Sequence, residues 1–334
     1  MQVMVNKSRE RIVLLGTGGT IAGLASSIHD TVGYKTAQLG VDRLISALPQ
    51  PLGFPYELVS EQIAQIDSKD MCFDIWSRLA QRCDELMAQA DVRGIVITHG
   101  TDTLEETAYF LHAVLMRSER CSKPLVLTGA MRPASALMPD GPQNMLDALA
   151  VAAYPGACGV LVVFAGAVHS ALDVQKSHTY RLDAFDSGDA GALAYVEAGL
   201  IRMVRGAWPG SSGEAAPGTI PSDHARWPRV EIVMSYAGAS ASMVDGLLAH
   251  GLASKDPVRG IVVAGTGNGS VHQALESALL RAQADGVLVV RATRCAEGRV
   301  LVGANDTLPD SAGLSPVKAR IALMLRLMAA EPSA

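Results

Sequence analysis

One stretch constrains the fold more than any other: Ile12-Val13-Leu14-Leu15 running into Gly16-Thr17-Gly18-Gly19-Thr20-Ile21-Ala22-Gly23. Four apolar residues bounded by a turn signal read as a short strand buried on both faces. The glycines that follow allow a tight turn and a close approach of backbone to a ligand, both of which a Cβ would obstruct. Open α/β sheets collect their ligands just outside such strand ends. Thr20 lies at the crest of the turn, with its hydroxyl presented where a ligand would arrive. The two nucleotide versions of this turn fail on residues. The fingerprint G-x-G-x-x-G needs glycine where Ile21 stands, and a phosphate loop needs Lys then Ser or Thr where Leu24-Ala25 follow. A glycine turn without chemistry stays open at this point.

The same alternation of apolar run and helical period continues along the chain. Tyr56–Ile66 reads as a strand, and Met71, Ile75, Leu79, Cys83 and Met87 carry helical spacing behind it. Ser68 is placed to cap that helix, and a helix N-terminus also attracts carboxylates. Gly94–Thr98 is a buried strand that runs into His99-Gly100-Thr101-Asp102-Thr103-Leu104-Glu105-Glu106-Thr107. Asp102 with Glu105, or Thr103 with Glu106, makes a capping box for the next helix. A cap accounts for one of these polar residues, not for the whole cluster at a strand's carboxyl end. Strands over Leu125–Thr128 and Gly159–Phe164 flank a helix over Gln143–Ala153, with Pro142 suited to its first position. Leu24–Thr36 has no strong period and reads as a mobile surface loop carrying Tyr34.

Residues 206–229 hold Gly206, Pro209, Gly210, Gly213, Pro217, Gly218, Pro221 and Pro228, the composition of a linker. Beyond it strands at Val230–Ser235, Gly260–Ala264 and Val287–Arg291 alternate with helical stretches, which predicts a second, smaller parallel sheet. The expected organisation is α/β in two domains: an open sheet flanked by helices over 10–205, the linker at 206–229, and a parallel-sheet α/β domain over 230–334. At 334 residues the chain is long enough to bury a large core without staples.

Charge and cysteines narrow the setting. A net charge of −5 with no basic stripe argues against nucleic acid. The five cysteines form no CxxC pair, which fits reduced thiols and a cytoplasmic setting. Between Asp147 and Asp173 no charged residue occurs, but Pro155-Gly156 breaks the stretch, so a helix followed by a buried strand is expected there rather than a membrane span. Lys7, Arg9 and Arg11 precede an apolar run as in a signal peptide, but the glycine cluster cuts that run short.

Familiar nucleophile and metal patterns are missing. There is no G-x-S-x-G elbow, no H-E-x-x-H pair, and no metal spacing among the His and Cys residues. What is left is hydroxyls, carboxylates and one lysine near strand ends: Thr20, Thr101, Asp102 and Lys176. A threonine hydroxyl needs a base, and a lysine out of bulk water loses its proton more readily; taken alone, Lys176 reads as a solvated surface lysine. Asp102 suits a substrate ammonium, Ser68 a carboxylate, and the N–H groups near Gly100 and Thr101 an oxyanion. The implied substrate is small and zwitterionic, with an acyl group to attack.

Thr17-Gly18-Gly19-Thr20-Ile21-Ala22-Gly23 and Thr98-His99-Gly100-Thr101-Asp102-Thr103-Leu104-Glu105-Glu106-Thr107 resemble the two signature segments of bacterial-type L-asparaginases. Gly129-Ala130-Met131-Arg132-Pro133, Asp140-Gly141-Pro142 and Gly265-Thr266-Gly267-Asn268-Gly269 are similar to that family too. The resemblance implies a flavodoxin-like larger domain and hydrolysis of L-asparagine to L-aspartate and ammonia through an acyl-enzyme, with no cofactor and no metal. It implies Thr20 as nucleophile, Tyr34 as the residue helping to activate it, and Thr101, Lys176 and Asp102 as a triad-like group. Asp102 would also hold the α-amine and Ser68 the α-carboxylate, with Gly19, Lys69, Gly100, Thr101 and Ala130 around the substrate. A homotetramer or homodimer is implied, with a neighbour's glutamate, Glu297 or none, completing the site. Lys69 stands where many members carry glutamine, and Tyr236-Ala237-Gly238 replaces Tyr-Ala-Asn, departures that bear on glutamine use. Two other readings share these motifs. An amidotransferase subunit would carry an additional N-terminal domain, whereas about ten residues precede Arg11 here. A non-catalytic amino-acid sensor would be expected to lack Thr20, Thr101 or Lys176.

Overall fold

The computed structural model describes residues 10–49, 55–116, 123–209, 227–304 and 306–330. Its contacts divide the chain into two units, Met1–Ala215 and Ala216–Ala334. Most of the expected linker, 210–226, lies outside the described residues.

The first unit alternates strand and helix: β1 (Arg11–Gly18), α1 (Val41–Ser46), β2 (Glu57–Ile66), α2 (Phe73–Met87), β3 (Val92–Thr98), α3 (Leu104–Leu115), β4 (Pro124–Thr128), α4 (Gly141–Ala153) and β5 (Gly159–Phe164). The chain then forms β6 (Ala167–Ser170), β7 (Gln175–Lys176), β8 (Phe185–Asp186), β9 (Ala194–Glu197) and β10 (Leu200–Met203). One sheet runs β10-β9-β6-β5-β4-β3-β1-β2. Its parallel part, β2-β1-β3-β4-β5, has the flavodoxin-like order. Because β1 is flanked by β2 and β3, the chain reverses direction of travel there, and a crevice opens at the carboxyl ends of β1 and β3. The central strands β1, β3, β4 and β5 are buried on both faces, which is why they read as unbroken apolar runs. Ile12, Leu14, Val96, Val126, Leu161 and Val163 pack under α4 and α1 in one core. On α2 and α3, Trp76 stacks on Phe110 at 4.8 Å between ring centroids.

The edge β6-β9-β10 is antiparallel. Two tight hairpins build it, with Phe164 paired to Ala167 around Ala165-Gly166 and Glu197 paired to Leu200 around Ala198-Gly199. All four turn residues have positive φ, as two-residue loops matching strand twist require. The charge-free stretch from Asp147 to Asp173 resolves into α4, β5 and β6. Among the described residues no helix is long and apolar enough to cross a membrane.

The second unit is a three-stranded parallel sheet, β11 (Val230–Met234), β12 (Gly260–Gly265) and β13 (Leu288–Thr293), in sequence order. Helices α5 (Ser242–Ser254), α6 (Gln273–Ala284) and α7 (Pro316–Ala330) cover it. Ile261, Val263, Leu275, Leu279 and Val289 form its core.

Candidate active site

The crevice at β1 and β3 is closed by glycine against glycine. Gly18 and Gly19 have φ of +107° and +82°, and a Cβ on Gly19 would stand 2.3 Å from the Gly100 Cα. A Cβ on Gly100 would in turn stand 2.6 Å from Ser68 Oγ. The absence of side chains at these two positions is what lets the turn after β1, the turn after β3 and the segment after β2 converge. Thr17 Oγ1 donates to the Thr98 carbonyl at 2.9 Å and ties the two strand ends together.

Thr20 begins a 3-10 turn, Thr20–Ala22, and is 7% exposed. Its Oγ1 is 2.7 Å from the Tyr34 hydroxyl. The segment bearing Tyr34 reads as mobile from sequence, yet it is tied on both sides. Leu24 and Lys35 exchange backbone hydrogen bonds, Ala134 N donates to the Gly23 carbonyl, Ala25 N donates to Ser135 Oγ, and Thr31 meets Tyr180 through their hydroxyls. Burial pushes the Tyr34 phenol above its ordinary value; the bond to Thr20 opposes that, and the Asp102, Asp67 and Asp140 carboxylates add to the rise. The phenol therefore keeps its proton at neutral pH and offers Thr20 both a lone pair and a hydrogen.

Thr101 follows β3 and is 5% exposed. Lys176 Nζ donates to Thr101 Oγ1 at 2.8 Å and to Asp102 Oδ1 at 2.6 Å. The Lys176 side chain is 18% exposed and is no solvated surface lysine, whereas that of Asp102 is 56% exposed and open to a ligand. Lys176 sits on β7, whose ladder with β8 is two residues long. Glu105 Oε2, in the first turn of α3, accepts the Lys176 backbone N–H at 2.6 Å and fixes where the lysine starts.

Ser68 corrects an expectation. Asp67, not Ser68, occupies the cap position, and it caps a short 3-10 turn, Ser68–Asp70; α2 begins behind Cys72. Ser68 is 2% exposed, and its Oγ accepts the Asp102 N–H at 3.2 Å, leaving its own hydrogen to be donated. The capping boxes are corrected too. Thr103 precedes α3 without a side-chain cap bond and donates instead to the Ser68 carbonyl at 2.8 Å. The Lys69 ammonium is engaged by Asp67 at 2.7 Å and Asp70 at 3.6 Å, with 63% of its side chain exposed. Burial works to raise the Asp67 carboxyl, but hydrogen bonds from Lys69 and Thr36 prevail and hold it below its ordinary value. Ala130 is fully buried in the larger core, which leaves it no exposed surface for a ligand. Glu297 and Tyr236 lie in the second unit. Among the described residues no group of His, Cys, Asp or Glu is gathered to hold a metal ion.

His99, which lies in the second motif, has no role legible from sequence. It is 0% exposed, with Nδ1 2.7 Å from the Gly100 carbonyl and Nε2 2.9 Å from Thr107 Oγ1. Burial lowers the His99 imidazole to about 4, against an opposing bond from Gly100, and burial lowers His169 to about 4 as well. Above pH ~6.5 both histidines are neutral in either state and stability is indifferent to them. Below it the unfolded chain binds protons that the folded chain refuses. Stability therefore falls from pH ~6.5 toward ~4, by up to ~3 kcal/mol per pH unit for two groups. Denaturant midpoints measured through that window are expected to fall steeply, and less steeply in His169→Asn; a flat profile would contradict both assignments.

Two family models match the chain: "Asparaginase, N-terminal" over residues 11–208 and "Glutaminase/Asparaginase C-terminal domain" over residues 229–333. The chain is 37% identical to L-asparaginase 2 of Bacillus subtilis, covering 96% of this chain and 83% of that one. It is 35% identical to a glutaminase-asparaginase of Pseudomonas fluorescens, covering 96% and 87%. Among solved structures it is similar to a probable cytoplasmic L-asparaginase from Campylobacter jejuni, with a TM-score of 0.85 and 39% identity over 96% of this chain and 95% of that one.

Proposed function

We propose, for a chain that belongs to the asparaginase–glutaminase family of amidohydrolases, that it hydrolyses L-asparagine to L-aspartate and ammonia through an ester on Thr20. One observation carries the reading: a threonine bonded to a tyrosine and a threonine bonded to a lysine–aspartate pair stand on turns that touch at Gly19 and Gly100.

Asp102 binds the substrate α-ammonium and Ser68 donates to its carboxylate, which orients the side-chain amide toward Thr20. Thr20 Oγ1 attacks the amide carbon. Its proton passes to the Tyr34 oxygen while the Tyr34 proton moves to the leaving nitrogen, so the C–N bond breaks and ammonia departs. The Thr101 N–H faces the oxygen on which negative charge gathers. Water, oriented by the Thr101 hydroxyl with Lys176 and Asp102 behind it, then attacks the ester carbon. Its proton returns to Thr20 Oγ1 as the C–O bond breaks, and aspartate leaves. Lys69 rims the site.

L-glutamine is a weaker substrate in this reading; that the family includes enzymes acting on both amides is supported by the name of the P. fluorescens glutaminase-asparaginase. A cytoplasmic setting is supported by Cys72, Cys83, Cys158 and Cys295, all free. The assembly in this reading is a homotetramer or homodimer, with light scattering as its check. Ammonia release from L-asparagine and L-glutamine over a range of concentrations tests the activity. Turnover of L-asparagine with the higher kcat/KM is expected; binding of aspartate with no ammonia from either amide would overturn it and favour a sensor.

A further inference from the structure

We propose that His99, which touches neither reactive hydroxyl, is a positioning residue: its Nδ1–H holds the Gly100 carbonyl and thereby aims the Thr101 N–H of the same peptide away from the strand and into the site. The inference rests on the reading above, in which that N–H meets the oxyanion.

The direction of the hydrogen bonds leaves one tautomer. An indole nitrogen only donates, and Trp76 Nε1 donates to Thr107 Oγ1 at 2.9 Å. That leaves the Thr107 hydroxyl a second lone pair and one hydrogen, and the hydrogen goes to His99 Nε2 at 2.9 Å once the neutral ring carries its proton on Nδ1. His99 carries its own proton on Nδ1, facing the Gly100 carbonyl at 2.7 Å, where only a donor fits. All members are buried, with Trp76 4%, Thr107 0% and His99 0% exposed. Burial also keeps the imidazole neutral, so the competing doubly protonated form is absent at neutral pH. Stacking on Phe110, with the ring planes 10° apart, fixes the indole at the head of the relay.

The peptide plane transmits this order. The carbonyl of Gly100 and the N–H of Thr101 belong to one rigid, planar unit and point to opposite sides. Fixing one fixes the other. Gly100 has no side chain by which packing can hold that plane, since Ser68 Oγ and the Gly19 Cα occupy the place of its Cβ. A glycine peptide is also the freest to rotate. Among the described residues the Thr101 N–H has no acceptor, so it is free to serve an oxygen that arrives with the substrate. A donor aimed in advance stabilises charge without reorganising, and losing one such donor costs about a hundredfold to a thousandfold in turnover.

Two substitutions separate aim from bulk. In His99→Asn the side-chain amide can place N–H where Nδ1 stands. In His99→Gln the longer chain reaches the Nε2 position and leaves the Gly100 carbonyl unheld. Both remove the ring, so both lose stability alike. With L-asparagine, His99→Asn is expected to keep kcat within about threefold of the parent. His99→Gln is expected to lose about tenfold to a hundredfold in kcat with KM nearly unchanged, since the charge appears only in the transition state. Equal kcat in the two variants, or a change confined to KM, would overturn the inference. Should His99→Gln fail to fold, Thr107→Val against Thr107→Ser asks the same question, because valine frees Nε2 to take the proton. Lower kcat in the valine variant supports the relay, and equal kcat overturns it. A parent protein that releases no ammonia from L-asparagine would instead sink the reading beneath, which keeps the two failures distinct.

Discussion

Thr20→Ala is expected to fold like the parent and to lose about three to four powers of ten in kcat for L-asparagine, as hydrolases do when a nucleophile is removed. Two terms of unequal size set that expectation. Structurally the substitution removes a hydroxyl with one partner, Tyr34 at 2.7 Å, and a methyl on a turn that backbone bonds from Gly19 to Ile66 and from Ala37 to Gly19 hold independently. A change of that kind costs on the order of 1–2 kcal/mol of stability. Chemically it deletes the atom that forms the ester, which no neighbour replaces in position. Ammonia release and a thermal melt check both halves. Retention of more than about a tenth of the parent rate, ~1.4 kcal/mol of barrier, would remove Thr20 from the nucleophile's place.

Lys176→Met is the second large effect, and it divides the reaction. Methionine keeps much of the side chain's length and loses the ammonium that holds Thr101 Oγ1 and Asp102 Oδ1. With 56% of the Asp102 side chain exposed, the pair faces water on one side, and such pairs contribute only about 0–1 kcal/mol to stability. The fold therefore survives. Turnover is expected to fall by about a thousandfold, by analogy with loss of a hydrolase base. Ester formation at Thr20 does not use Lys176, so the variant is expected to release ammonia in a burst matching its active sites and then stall. Rapid-quench ammonia measurement distinguishes this from loss of both steps, which would place Lys176 in acylation as well.

The parts legible from sequence are those in which one physical cause acts locally. β1 and β3 are buried on both faces, so they appear as apolar runs, and the glycines behind them mark the converging turns. The parallel strands and both sets of helices follow from the alternation, whereas the strand order does not. The site's polar residues at the β1 and β3 ends could be named, but their partners could not be derived from the residues themselves. Lys176 arrives from a ladder of two residues, too short to show a period, and its place depends on Glu105 far away in the chain. Tyr34 is visible in sequence as a loop residue, but its role beside Thr20 comes only through the resemblance, because a loop tied by bonds to Gly23, Ser135 and Tyr180 leaves no local signature. Ser68 has the residue type of a cap, but convergence at Gly100 turned its hydroxyl to Asp102 and left capping to Asp67. The hairpins of the antiparallel edge were hidden because Ala165 and Ala198 hold positive φ, where asparagine or glycine is the usual signal. His99 has no local signature for a related reason: it bonds to the neighbouring carbonyl and to a relay through Thr107 to Trp76 that only packing of α2 on α3 creates.

The central claim is that one hydroxyl, on Thr20, carries the acyl group while the other prepares water. Quenching Lys176→Met with acid soon after mixing with L-asparagine, then locating the added aspartyl group by peptide mass mapping, tests it directly. An ester on the peptide that carries Thr20, formed together with one ammonia per active site, is the result expected. An ester on the peptide that carries Thr101, or steady ammonia release with no ester on either, would contradict it.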